Sequence, residues 1–223
     1  MTHIDTLNAI MDTRHSCRAF RPDPVDRATI ETIVATAQKV PSWCNAQPWQ
    51  VTIASGAAAD RFREALYAHV MTATPAPDLD WPEKYQGVYL DRRRTCGFQL
   101  YSAMGIEKGD RPAGAKQMME NYRLFGAPHV ALITAPKELG PYGAMDSGGF
   151  VAAFTLAAAA QGVATVPQAA IAAYAPMVRD HFGLPDDRNL LCAISFGYAD
   201  PDHPANSFRT ERATPADVID WKD

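Results

Sequence analysis

An α+β domain, with a mixed central sheet flanked by helices, is the fold class this sequence predicts. Segments with an apolar period near 3.6 alternate with short runs rich in β-branched residues, yet only three or four of those runs read as strands. That is too few for a full doubly wound sheet and leaves a mixed α/β or α+β sandwich. The 223 residues suit one domain, 1–223, and contain no repeat, low-complexity tract or linker.

Taken in order, Leu7, Ile10 and Met11 recur at helical spacing and predict a short opening helix. Arg14 to Pro24 breaks that pattern with charge and proline. Val25, Ile30, Ile33, Val34 and Ala37 restore it, with Asp26 placed as N-cap and Pro41 beyond the end. Pro41 to Pro48 is a loop, and Trp49 to Ser55 (WQVTIAS) alternates as a strand. A helix from about Ala57 to Thr74 leads into TPAPDLDWPEKYQG, a proline-rich, acidic and exposed excursion. Tyr89 to Met104 and Pro112 to Leu124 read as helices, and Pro128 to Ala135 (PHVALITA) as a buried strand. The stretch Gly148 to Val166 is long enough to cross a membrane, but its alanines, its glycines and Gln161 fit a buried or half-buried helix better. After GVATVPQAA, Ala175 to Phe182 is helical, and Asn189 to Ala199 is an apolar strand ended by Gly197 and the PDHP turn. Ser207 to Trp221 is polar and extended, with no core face of its own.

Composition narrows the function classes. A net charge of −4 and a pI of 5.8 lack the basic excess of a nucleic-acid binder, although a local basic site stays open. Cys17, Cys44, Cys96 and Cys192 form no CxxC pair, which argues against a disulfide framework or a metal site and for reduced thiols in a cytoplasmic protein. The opening MTHIDTLNAIMDTRHS has no apolar run of the signal-peptide kind. GxGxxG, Walker A and HExxH are absent, and Ser147 lies in DSGG rather than GxSxG. The six histidines show no metal-ligand spacing and are expected at the surface or at caps.

Four segments hold candidate chemistry. Arg14-His15-Ser16-Cys17-Arg18 concentrates two guanidinium forks and a hydroxyl, suited to phosphate oxygens; a solvated basic turn fits the spacing equally well. Pro41-Ser42-Trp43-Cys44-Asn45-Ala46-Gln47-Pro48-Trp49 sets hydroxyl and amide groups between two stiffening prolines, either for a planar heterocycle or as a plain connection. Thr165 to Ala170 has small residues that let a ligand approach the main chain, or is an ordinary strand-to-helix junction. Arg209 and Arg212 in the tail, taken alone, are solvated arginines.

In this order the segments resemble the nitroreductase family of FMN enzymes. RHSCR, PSWCNAQPW, GVATVP, ISFGYA and the tail arginines with VIDW carry the resemblance, from about Met11 to Trp221. PSWCN and DWPEKYQGVY look most like the bacterial branch that reduces nitroaromatic compounds, including dinitroaniline-like ones. The resemblance implies an intertwined homodimer with two FMN at the subunit interface, a lid over 75–110 and a C-terminal arm, 205–223, laid on the partner. It implies that Arg14 and Arg212 hold the FMN phosphate with Arg209 assisting, that Ser16 contacts the same end, and that His15 is among the cofactor-binding residues. Arg18 is expected near the N1/O2 edge of the flavin ring, where its charge stabilises the reduced form. Pro41, Ser42, Trp43, Asn45 and Gln47 reach the flavin from one subunit's loop, expected to be the partner's. By the same resemblance Pro167, Gln168 and Ala169 are expected to line the ring. Two departures stand out: Ala169-Ala170 where some relatives have Glu-Gly, and Trp43 where many have a small residue.

The implied activity is a ping-pong reduction of nitroaromatic acceptors by NADPH or NADH through FMN, needing no acid–base side chain. The same fold hosts enoate reductases and reductive dehalogenases, so fold does not choose the acceptor. A non-catalytic flavin binder, or a module for another phosphorylated ligand, are the readings from other classes.

Overall fold

Four strands frame the computed structural model, which describes residues 2–222. β1 (Gln50–Ser55), β2 (His129–Pro136), β3 (Ala164–Gln168) and β4 (Arg188–Gly197) pair in the order β1-β2-β4-β3, every pair antiparallel. The sheet expected to be mixed is thus antiparallel in all four strands. Its parallel element is an isolated bridge between Ser16 and Thr165. The helices are α1 (His3–Thr13), α2 (Arg27–Ala37), α3 (Ala57–Val70), α4 (Gly87–Ala103), α5 (Arg111–Met119), α6 (Gly140–Ala160), α7 (Ala169–Ala172) and α8 (Ala175–Phe182). Met1 and Asp223, the ends of the expected domain and arm, lie outside the described residues.

The sheet is covered on both faces, which explains why PHVALITA reads as a buried strand. Along β2, Val130 and Leu132 join one core with Phe62 and Leu66 of α3 and Val178 of α8. Ala131 and Ile133 point the other way, into a core with Ile30 and Ile33 of α2 and Phe150 and Phe154 of α6. This is the two-residue period of a strand with two buried faces. Of the membrane-length stretch only Gly148 to Ala160 is helical, within α6, whose phenylalanines bury against this second core; the stretch's last residues, Ala164 to Val166, begin β3.

Helix ends follow their capping residues. Asp26 accepts a hydrogen bond from Thr29 N at 2.9 Å, as expected of an N-cap. Thr2 and Asp5 form a capping box on α1, yet none of that helix is buried; Ile4, Leu7 and Met11 face outward. Two predicted helices are shorter than their patterns, and the one from Ala57 ends at Val70 rather than near Thr74. Pro112 to Leu124 stays α-helical only to Met119, then tightens into a 3-10 segment, Glu120–Gly126. Leu124 and Phe125 take φ of 57° and 51°, left-handed values that turn the chain back toward β2 and bury both side chains.

One other expectation is revised. His129 is buried rather than capping: Val25 N donates to its Nε2 at 2.8 Å, and its Nδ1 bonds Ser55 Oγ at 2.7 Å. A neutral imidazole serves as acceptor at one nitrogen and donor at the other, and burial holds its pKa below the ordinary value. The excursion from 75 is tied down at its start, where Ala76 N donates to Ala173 O at 2.7 Å. Asp78 there accepts from Arg179 and from Leu190 N, each at 2.7 Å. Its later part is the regular helix α4.

The chain exposes 13290 Å². A compact monomer of 24.3 kDa exposes about 10,000 Å². The excess of roughly 3,000 Å² goes with outward-facing apolar side chains on α1 and α4, and with Val218, Ile219 and Trp221 of the tail.

Candidate functional site

RHSCR lies as an extended segment against the start of β3. Cys17 N donates to Thr165 O at 3.0 Å beside the Ser16–Thr165 bridge, and the Cys17 side chain is buried. The tail meets the same segment through Asn206, which sequence reasoning missed. Its Oδ1 accepts from Arg18 N at 2.8 Å, and its Nδ2 donates to Ala19 O at 2.9 Å and Asp200 O at 2.8 Å. Nothing periodic or motif-like marks Asn206; its only signal is an amide side chain in a proline turn.

This tether brings Arg14, His15, Ser16, Arg18, Arg209 and Arg212 together. Arg14 has its pKa lowered by burial and then by the charge of Arg212. His15 is held below the ordinary imidazole value by burial; the Thr13 carbonyl opposes this, and the charges of Arg209, Arg14 and Arg18 add to it. Arg18 is lowered by burial and donates to Ser16 O at 3.2 Å. Arg209 bonds Asn206 O at 2.9 Å and Phe208 O at 2.8 Å, and Arg212 bonds Thr210 and Glu211 O. Among the described residues none of these four arginines has a carboxylate partner. The arm expected from 205 is therefore tied to its own chain at Asn206.

His15 carries the clearest mark of a ligand position. Its Nδ1 lies 3.1 Å from Thr13 O, which can only accept, so Nδ1 bears the proton. Nε2 is buried and has no hydrogen-bond partner among the described residues. A cavity of about 140 Å³ opens here, lined by Arg14, His15, Gly162, Ala164, Thr165 and Ala199.

Beyond Thr165, the β3–α7 junction presents Pro167 and Ala169 to solvent. Gln168 does not join them: its side chain is buried, accepting from Ser195 Oγ at 2.6 Å and donating to Asn121 O at 2.8 Å. Any contact it makes with a ligand is through its backbone. From α4, Cys96 faces Arg18, and Thr95, Cys96 and Gln99 share a cavity of about 670 Å³ with Arg212.

The loop Pro41 to Pro48 lies elsewhere. Trp43 N donates to Asp146 of α6 at 3.0 Å, and the exposed Trp43 ring meets Tyr142 edge-on with centroids 4.2 Å apart. Arg188, also missed by sequence reasoning, donates to Pro48 O at 2.7 Å while holding Thr134. Cys44, Asn45 and Gln47 sit at φ of 51°, 56° and 48°. Such values cost non-glycine residues about 1 kcal/mol or more each. Within the loop, Gln47 N donates to Ser42 Oγ and the Gln47 amide donates to Asn45 O. Asp146 and Ala159, beside the arginine cluster's cavity, are separated by thirteen residues of α6, about 20 Å of helix. One chain does not bring Pro41, Ser42, Trp43, Asn45 and Gln47 to the arginines.

Residues 11–198 match the model of the nitroreductase family. The chain is 40% identical over 204 residues to nitroreductase NfnB of Mycolicibacterium smegmatis, covering 90% of this chain and 86% of that protein. It is 31% identical over 212 residues to a 4-nitrobenzoate reductase of Pseudomonas putida, covering 93% and 92%. Its fold superposes on the crystal structure of the FMN-dependent nitroreductase NfnB from Mycobacterium smegmatis in complex with NADPH, with a TM-score of 0.93, 36% identity and coverage of 99% and 100%.

Proposed function

This chain belongs to the nitroreductase family, and we propose that it is an FMN-dependent enzyme that uses NADPH or NADH to reduce nitroaromatic compounds. The observation that supports this best is the convergence of Arg14, Arg18 and Arg209 on His15, with Arg212 beside Arg14; among the described residues the four arginines have no carboxylate partner and the buried His15 Nε2 has no hydrogen-bond partner. Such a set matches a phosphate monoester carrying two negative charges. Bound FMN would supply the redox chemistry, accepting a hydride from the nicotinamide and passing two electrons to the nitro group.

The chain's own residues bind and orient. Arg14, His15, Ser16, Arg209 and Arg212 hold the phosphate end. Arg18, fixed through its backbone by Asn206, presents positive charge where the reduced ring is anionic. Pro167, Ala169 and the Gln168 backbone form the rim along the ring. The excursion 75–110 acts as a lid through α4, whose Cys96 already faces Arg18.

The working unit is a homodimer. The roughly 3,000 Å² of surface beyond a compact monomer is ample for a permanent interface. A second copy also supplies what one chain keeps apart, the loop Pro41 to Gln47 opposite the arginines. The tail beyond Arg212, with Val218 and Trp221 exposed, lies on the partner.

The test is the absorption spectrum of the purified protein, chromatography of the heat-released cofactor, and NADPH oxidation with 4-nitrobenzoate or nitrobenzene. Yellow protein releasing FMN near one per chain, and acceptor-dependent oxidation, are expected. Colourless protein that takes up no added FMN overturns the proposal. FMN binding without turnover of any acceptor would leave a non-catalytic flavin binder.

A further inference from the structure

We propose that His15 takes up a proton at Nε2 when the cofactor's phosphate enters, and donates the hydrogen bond that its neutral ring cannot make. The proposal rests on the FMN reading above and adds a proton to it. With Nδ1 committed to Thr13 O at 3.1 Å, the neutral ring has only a lone pair at Nε2. A dianionic phosphate is also an acceptor, so two lone pairs would face each other in a buried place. A proton on Nε2 converts that clash into a charge-assisted hydrogen bond.

The surroundings explain why the proton arrives with the anion. On its own segment His15 is flanked by Arg14 and Arg18, and the tail contributes Arg209 with Arg212 beside Arg14. The end of α6 and the start of β3 bring Ala159, Gly162, Val163, Ala164 and Thr165 to the cavity, none of them titratable. Asp200, after β4, faces Cys17, whose thiol burial pushes up to about 11. The protein alone therefore holds His15 neutral, by burial and by like charge. Two negative charges arriving at Nε2 reverse the electrostatic part of that balance.

The proton comes from solvent and stays on the ring; no bond breaks. At pH 7.5 the phosphate monoester, with its second pKa near 6, is already a dianion and needs no proton itself. Affinity for FMN then rises as pH falls through the window between the bound and the free pKa of His15. The limiting slope there is about tenfold per pH unit.

Titration calorimetry of FMN into flavin-stripped protein at pH 7.5, in two buffers of different ionisation enthalpy, counts the protons. Uptake of at least about half a proton per site is expected for the wild-type chain. His15→Gln, which keeps an N–H donor but does not titrate, should bind FMN with no uptake and a flat pH profile. His15→Ala should weaken binding by about ten- to a hundredfold. Stoichiometric FMN binding with no proton uptake, or equal uptake in His15→Gln, overturns the inference and leaves the FMN assignment standing. Failure of FMN to bind at any pH overturns the assignment itself.

Discussion

Replacing Asn206 with alanine tests whether the tail and RHSCR form one unit. The side chain is buried and makes three hydrogen bonds, from Arg18 N at 2.8 Å and to Ala19 O and Asp200 O at 2.9 and 2.8 Å. Each is worth about 1 kcal/mol net, so Asn206→Ala should cost about 3 kcal/mol, more if the freed Arg18 N–H finds no water. For a chain of this size that corresponds to a melting point lower by about 6–12 °C. The same change releases the segment that carries Arg209 and Arg212, so FMN affinity should fall at least about tenfold. Thermal melts at fixed protein concentration and FMN titration read the two effects. Asn206→Asp should be no better than alanine, because a carboxylate would face the Ala19 and Asp200 carbonyls. Ser207→Ala, which removes only an exposed bond to Pro204 O, serves as the neutral control. A melting point for Asn206→Ala within about 2 °C of wild type, with unchanged FMN affinity, would refute the tether.

Other outcomes follow from single residues. Arg188→Ala removes the bonds to Pro48 O and Thr134; it should destabilise by about 2–4 kcal/mol in urea unfolding and raise the protease sensitivity of the Pro41 to Pro48 loop. His129, whose folded pKa is held below the unfolded value near 6.5, contributes stability that is full above that value. It is lost as pH falls toward the folded pKa. His129→Asn should therefore show a shallower loss of stability than wild type below pH about 6.5, by up to about 1.4 kcal/mol per pH unit; parallel pH profiles would count against it.

What the sequence made legible follows from the range over which each signal acts. α8 begins and ends where its pattern does, because an amphipathic repeat and Gly183, left-handed at φ 62°, are local. The buried strands declare themselves by composition. Leu124 and Phe125 could not be foreseen: bulky residues do not favour a left-handed backbone, and only the core that receives them makes it worthwhile. The His129 and Arg188 bonds to distant backbone likewise leave no local trace. Arg14 and Arg212 stand 198 positions apart in the sequence, so spacing alone reads them as two solvated groups. Their convergence was visible only through resemblance to a family pattern. The pattern did not show that Gln168 spends its side chain on Ser195 and Asn121, or that Asn206 ties the two arginine segments together.

The geometry of α6 carries the dimer argument further. The loop docks at Tyr142 and Asp146 and the arginine cavity at Ala159, about 20 Å apart, so on the dimer proposed above each helix would bear half a site at either end. A two-fold axis that sets two such helices antiparallel puts the loop end of each beside the arginine end of the other, giving two equal sites. The left-handed residues Cys44, Asn45 and Gln47 fit this: Asp146, Ser42 and Arg188 hold a strained loop that buries little within its own chain. Complementation is the decisive measurement. One chain carries Arg14→Ala with Arg18→Ala, the other Trp43→Ala with Asn45→Ala, each expected to lose FMN-dependent turnover as a homodimer. Unfolded and refolded together in equal amounts, half the dimers should be mixed, and each mixed dimer should have one site built only from wild-type parts. About a quarter of wild-type activity should return. If none returns although mixed dimers form, the loop and the arginines serve the same site from one chain, and the 20 Å separation along α6 must close by movement within it.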